Sequence, residues 1–179
     1  NGKRQQTLTY GNGTHELQFS EDHRFAIDSY SRMDMPTVYN VVDVDAPTKH
    51  FEFARCTDKD LKAAGWQAPV LIDVPAADGK TPLYGVMYLP THLDKTKKYP
   101  IISFVYPGPQ DDQIPRSFTL DDAGNQSLAE MGFVVINVQP RGSSPLRGHD
   151  FYCFGYGNLR DYPIADDKHT IETLAHRYP

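Results

Sequence analysis

Side chains able to do chemistry are plentiful in this 179-residue chain, but few stand at spacings that let them act together. Its histidines, His15, His23, His50, His92, His149, His169 and His176, are scattered. None lies in an H-E-x-x-H pattern, and no cysteine pair has zinc spacing, so each reads as a surface or capping residue and no metal is expected. The pairs Asp111-Asp112 and Asp121-Asp122 read as loop and helix-terminal charges. Asp166-Asp167 falls where the last helix should start, and carboxylates there complement the helix dipole. Arg141 could be a structural partner for a buried anion or a contact to a substrate carbonyl. The structural role is expected, because Arg141-Gly142-Ser143 follows a strand end where the chain must turn sharply. Gly155-Tyr156-Gly157-Asn158 lacks the Lys-Ser/Thr of a phosphate loop. Asn12-Gly13-Thr14 and Asn125-Gln126-Ser127 fit the glycosylation sequon, a pattern common by chance. The most telling observation is an absence: G-x-S-x-G, the strand-to-helix turn that presents a serine nucleophile, occurs nowhere.

The elements that would position these residues change character along the chain. Apolar-polar alternation predicts strands over 15–19, 24–31, 37–44 and 50–54, with Asn12-Gly13 as a turn signal. Strands spaced about 10 to 12 residues apart suggest a sheet meander or a propeller blade. A short helix is expected over 58–65, capped by Thr57 or Asp58 and closed by Gly65. Val70 to Val74 and Leu83 to Leu89 should form a hairpin around Ala77-Asp78-Gly79-Lys80. Ile101 to Tyr106 is a continuous apolar run, as expected of a strand covered on both faces. A helix near 121–131, stopped by Met131-Gly132, leads to a strand over 133–138. A Gly-rich stretch then precedes a last helix near 162–176, apolar at Ile164, Ile171, Leu174 and Ala175. Strands alternating with helices beyond residue 98 indicate an α/β sheet. The composition shift near residues 55 to 65 marks a domain boundary.

Composition narrows the class. Hydrophobic residues make up 39% and charged residues 23%, which suits a chain with a core. Net charge is −5, so the basic footprint of a nucleic-acid binder is missing. Eleven Tyr and nine Phe favour β-rich segments with half-buried surfaces. Cys56 and Cys153 are too few for a disulfide framework and read as two buried free thiols. No apolar run approaches the ~18 residues needed to cross a bilayer. Asn1 is not an initiator Met and no signal peptide is present, so the chain reads as an excised or processed piece.

Several segments carry a specific likeness when taken together. Ser20-Glu21-Asp22-His23-Arg24-Phe25, Ser29-Tyr30-Ser31 and Pro36 form one. Asp78-Gly79 followed by Leu83-Tyr84-Gly85-Val86-Met87-Tyr88-Leu89-Pro90 is a second. The strongest is Asp94-Lys95-Thr96-Lys97-Lys98-Tyr99-Pro100 followed by Val105-Tyr106-Pro107-Gly108-Pro109, with Arg141-Gly142-Ser143 after the next strand. With these, residues 14–179 resemble the dipeptidyl peptidase IV branch of the prolyl oligopeptidase family. That resemblance implies the end of a β-propeller over residues 1–56. It implies the first part of an α/β-hydrolase domain over 57–179, truncated before the nucleophile elbow. It also implies a role for Tyr106, which stands where the family's Tyr-x-Gly-Pro segment donates a hydroxyl to the oxyanion. A phenol O–H suits that task. The family's Ser, Asp and His triad maps to nothing here, and neither do the paired Glu residues that hold a substrate's free amine.

The expectation is therefore a fragment of a secreted or periplasmic serine exopeptidase that releases N-terminal dipeptides through an acyl-enzyme, inactive by itself and needing no metal or organic cofactor. Its partner would be a peptide substrate, not nucleic acid. Two other readings stay open: an esterase or acylaminoacyl peptidase of the same fold, and a non-catalytic β-rich binding or scaffold module. A sheet cut after its early strands should also self-associate, through an unpaired edge at Ile101 to Val105 or Phe133 to Val138.

Overall fold

A computed structural model describes residues 5–106, 108 and 111–178. The chain forms two compact units, 1–66 with 115–119, and 67–114 with 120–179.

The first unit is a four-stranded antiparallel meander, β1 (Thr14–Phe19), β2 (Phe25–Arg32), β3 (Met35–Asp43) and β4 (His50–Arg55), in the order β1-β2-β3-β4. The period-2 pattern explains it, since alternate residues face the same side. Ala26 and Asp28 of β2 lie opposite Val42 and Asn40 of β3, and all four are buried. Phe25 and Ile27, one residue out of phase, are exposed, as are Phe51 and Phe53 on β4. His15 departs from its expected surface role. Its Nδ1 sits 2.8 Å from the carboxylate of the buried Asp28, and its ring stacks on Tyr30 at 4.6 Å. The short helix α1 (Lys59–Ala63) follows, with the Lys59 N–H donating to the Thr57 hydroxyl at 3.2 Å. Gly65 just beyond it has φ +95°, a conformation that favours glycine. Within this unit the Phe118 N–H donates to the Ser31 hydroxyl at 3.0 Å, and Trp66 meets the Phe118 ring edge-on.

The second unit contains the hairpin β5 (Val70–Pro75) and β6 (Pro82–Tyr88), then β7 (Ile101–Ser103), α2 (Asn125–Glu130), β8 (Val134–Val138), α3 (His149–Tyr152) and α4 (Ile164–Arg177). The sheet order is β5-β6-β8-β7, with β6 and β8 antiparallel and β7 and β8 parallel. A parallel pair needs a crossover, and α2 lies on it. Ile72, Val74, Leu83, Met87, Ile136, Phe151 and Leu174 form the core on one face, under α4. Val86, Tyr88 and Val135 point to the opposite face, where the Tyr88 hydroxyl donates to Asp122 just before α2. The sheet is thus covered by helices on both sides.

Several details differ from the sequence reading. Regular pairing in β7 ends at Ser103 rather than Tyr106, because β7 is an edge strand and the chain departs after Phe104 donates to the Ile136 carbonyl. The strand around 133–138 is not an edge, since β8 is paired on both sides. Helix α2 starts at Asn125, not near 121, because Ala123 and Gly124 have φ +52° and +82°. Asp121 instead receives the Gln126 N–H at 2.8 Å. Asn125 is fully buried, so its sequon is closed to a glycan in the folded chain, whereas Asn12 is exposed. Both cysteines are free, and Cys56 is exposed rather than buried.

Candidate functional site

Because β7 and β8 are parallel, their carboxyl ends lie at the same edge of the sheet, the end at which open α/β sheets place ligands. Two irregular stretches leave from there. The first carries Tyr106, and the second is Gln139-Pro140-Arg141-Gly142-Ser143-Ser144.

Tyr106 is half exposed, at 49%. Its ring lies over Gly108, where a Cβ would come within 2.3 Å of the ring, so glycine two residues on leaves room for the tyrosine. Pro107, Pro109 and Gln110 lie outside the described residues. Beyond them the chain is fastened to the end of β8. The Ser144 N–H donates to the Asp111 carbonyl at 3.0 Å, and the Asn137 side-chain amide donates to the Gln113 carbonyl at 2.8 Å. The Asp112 carboxylate accepts from the Gln139 amide and, at 3.3 Å, from the Ser144 hydroxyl. Ser144 is buried at φ +40°, a conformation that persists only where the surroundings over-determine it.

Arg141 takes the structural role expected of it. Its Nε and Nη2 donate to both oxygens of Asp166, at 2.9 and 2.8 Å, and Nη1 donates to Asp78 at 2.8 Å. The planar guanidinium matches a carboxylate in this two-pronged geometry. Its charge also sits 4.2 Å from the Phe154 ring centroid. Asp166 corrects the sequence reading. It is fully buried and does more than complement the helix dipole, since it also receives the backbone N–H groups of Ala77 and Arg141, at 2.9 and 3.0 Å. Burial alone would raise its carboxyl. The Arg141 side-chain hydrogen bonds, then the backbone bonds from Ala77 and Arg141, outweigh burial and hold it below the ordinary value. Asp78 is also held below the ordinary value, first by the Thr81 and Lys80 N–H groups and then by the Thr81 hydroxyl. Asp167, next along α4, accepts the Ser103 hydroxyl at the end of β7. Gly142, at φ +93°, lets the chain turn here, since a Cβ would meet the Tyr162 ring at 2.4 Å.

Tyr106 and Arg141 are therefore brought to one end of one sheet. The Asp112–Gln139–Ser144 contacts were not visible in the sequence. Among the described residues no serine is hydrogen-bonded to a histidine, and no group of three or more His, Cys, Asp or Glu could hold a metal ion. Among the described residues no helix is long and apolar enough to cross a membrane.

The second unit is a mixed α/β sheet with two irregular segments leaving the carboxyl ends of its parallel strands. Comparison with known proteins narrows the class. No family model matches the chain. It is 29% identical over 180 residues to dipeptidyl peptidase 8 of Homo sapiens, covering 96% of this chain and 20% of that protein. It is 25% identical over 168 residues to "Probable dipeptidyl-aminopeptidase B" of Aspergillus oryzae, covering 91% of this chain and 18% of that protein. A Bacteroides ovatus protein solved as a candidate dipeptidyl aminopeptidase IV superposes with TM-score 0.74 at 28% identity, over 91% of this chain and 23% of that one. The chain thus spans about a fifth of the length of the relatives it matches. Its likeness is to the dipeptidyl peptidase IV branch of the prolyl oligopeptidase family, as its motifs implied.

Proposed function

We propose that this chain is the part of a serine-type dipeptidyl peptidase where a β-propeller ends and an α/β-hydrolase domain begins, and that Tyr106 stabilises the oxyanion. The observation that carries the reading is the joint match of nearly the whole chain to dipeptidyl peptidases, with Tyr106 in the segment that leaves the carboxyl end of β7. Residues 1–56 supply a four-stranded antiparallel meander, the form of a propeller blade. Residues 57–179 supply a mixed sheet with helices on both faces. Tyr106 follows the third strand of that sheet and precedes α2. In α/β-hydrolases the loop after the third strand contributes to the oxyanion hole.

The reaction is acyl transfer. A serine attacks the carbonyl, a histidine takes its proton, and the negative oxygen is met by the Tyr106 hydroxyl and a backbone N–H. The serine and histidine belong, in this reading, to parts of the enzyme other than these 179 residues, which by themselves turn nothing over. The substrate is a peptide with a free amino end, and the site of action is the periplasm or the cell exterior. No metal or organic cofactor takes part.

The test uses the whole protein that carries this chain, with Gly-Pro and Ala-Pro chromogenic amides. Release from free but not amino-blocked substrates is expected. Tyr106→Phe should lower kcat by about 10²- to 10³-fold with KM little changed. A kcat within about threefold, near 0.7 kcal/mol, would reduce Tyr106 to a packing residue. Cleavage of blocked substrates would point to an acylaminoacyl peptidase instead.

A further inference from the structure

We infer that Gly108 is a positioning residue for Tyr106. Having no side chain, it lets the phenol ring lie against its own backbone and so sets the direction of the hydroxyl. This rests on the reading of Tyr106 as an oxyanion donor.

Gly142 and Gly148, in the stretch after β8, are glycines that the backbone itself requires. Their φ values are +93° and +88°, where a side chain is strained. Gly108 differs, because its φ lies outside that left-handed range and no backbone twist demands a glycine there. What a side chain would meet instead is Tyr106. A Cβ at position 108 would come 2.3 Å from Cε1 of the ring, 3.1 Å from Cδ1 and 3.2 Å from Cζ. Apart from the adjoining residues, these are its three nearest atoms, and all belong to the one tyrosine. The demand for glycine at this position therefore comes from the ring.

The surroundings of Tyr106 make that contact decisive. The chain leading to it is held, since the Phe104 N–H donates to the Ile136 carbonyl at 2.8 Å. Val105 lines a narrow recess with Val138, Pro140 and Thr170. The ring is half exposed, so the freedom left to it is rotation between staggered side-chain positions. Gly108 leaves room for the position observed, and a methyl group there would close it. The ring would turn away and carry its hydroxyl, the atom farthest from the backbone, through the longest arc. A donor must lie about 2.7 to 3.1 Å from the oxyanion, and misplacement by ~1 Å can cost as much as 10² in rate.

Mutant cycles on the whole peptidase test this, with Gly108→Ala made in the Tyr106 protein, in Tyr106→Phe and in Tyr106→Ala. With Tyr106 present, kcat should fall about 10- to 100-fold with KM little changed. In Tyr106→Phe the ring and its clash remain, but no hydroxyl is left to misplace, and the change should be less than about threefold. Thermal unfolding supplies a readout independent of catalysis. Gly108→Ala should be tolerated better in Tyr106→Ala than where a ring is present, because without the ring it only restricts the unfolded chain. Equal shifts of the midpoint in all three backgrounds would make glycine a backbone requirement and overturn the inference. Equal falls of kcat in the Tyr and Phe backgrounds, or no fall with Tyr106 present, would overturn it as well. So would a Gly108→Ala protein that fails to fold, since the contact would then hold the fold and not the hydroxyl. If Tyr106→Phe alone leaves kcat unchanged, the oxyanion reading itself fails and the positioning role with it, even where the midpoints show the ring contact.

Discussion

Asp166 and Asp112 both reach the turn that follows β8, yet they tie together different kinds of structure. Asp166 joins regular elements. It sits in the first turn of α4, receives the N–H of Ala77 in the β5–β6 hairpin turn, and is gripped by Arg141 at the end of β8. Asp112 joins an irregular stretch to that strand end. A tie between regular elements underwrites the fold of the unit. A tie on a strand-end segment holds that segment against the sheet. The same chemical group thus joins regular elements in one place and anchors an irregular segment in the other.

The sharpest way to break this comparison is Arg141→Ala. It leaves a fully buried carboxylate without its cation, a change that typically costs about 3 to 5 kcal/mol. Urea unfolding should show that loss. A variant as stable as the parent would show that Asp166 is not a structural tie.

Acid comes next. The carboxyls of Asp166 and Asp78 are held below their ordinary value of 3.8, so folding is favoured by their ionised forms. That contribution is complete above the unfolded-state value. It is lost as pH falls below about 3.8 and through the lower folded-state values. The parent should therefore lose stability as pH falls below about 4. Asp166→Asn should start less stable at pH 7 and lose less over the same range. Parallel curves would assign the acid limb to other groups.

A third measurement concerns the sheet edge. β7 is paired only with β8, and its free side offers N–H and C=O groups to another chain. Light scattering across a concentration series of this chain should give a mass that rises with concentration. A clean monomer at high concentration would sink the expectation of self-association.

The smallest effect sets the baseline. Arg55 and Glu52 make an exposed pair at 2.7 Å on β4. Arg55→Ala should leave the unfolding midpoint unchanged within error, because water and salt screen such pairs. A clear drop would mean that geometry alone, without burial, decides the value of these ties.

What was legible in the sequence follows the range of the interactions. Alternation in Phe25 to Tyr30 and Thr37 to Val42 is local, so the meander could be read directly. The hairpin at Ala77-Asp78-Gly79-Lys80 was legible for the same reason, since Asp78 satisfies its own turn. Asp166 read only as a helix-terminal charge because its partners are 25 and 89 residues away. The Asp112 contacts were hidden likewise, and Asp111-Asp112 looked like loop charges. The late start of α2 turns on the left-handed backbone at Ala123, a residue type that gives no warning of it. Tyr106 was singled out by family resemblance alone, because a tyrosine at a strand end has no signature of its own.

The Arg141 hub also bears on the order in which this unit is built. Its three members are distant in sequence, with Arg141 lying 63 residues from Asp78 and 25 from Asp166. Contacts closed over such spans lose chain entropy before they return any stabilisation, and they slow folding. During synthesis, at about 5 to 20 residues per second, the β5–β6 hairpin leaves the ribosome several seconds before α4 supplies Asp166. Of the two carboxylates that Arg141 meets in the folded unit, Asp78 is the one made first. Both carboxylates of the hub are available to Arg141 only once α4 has been made.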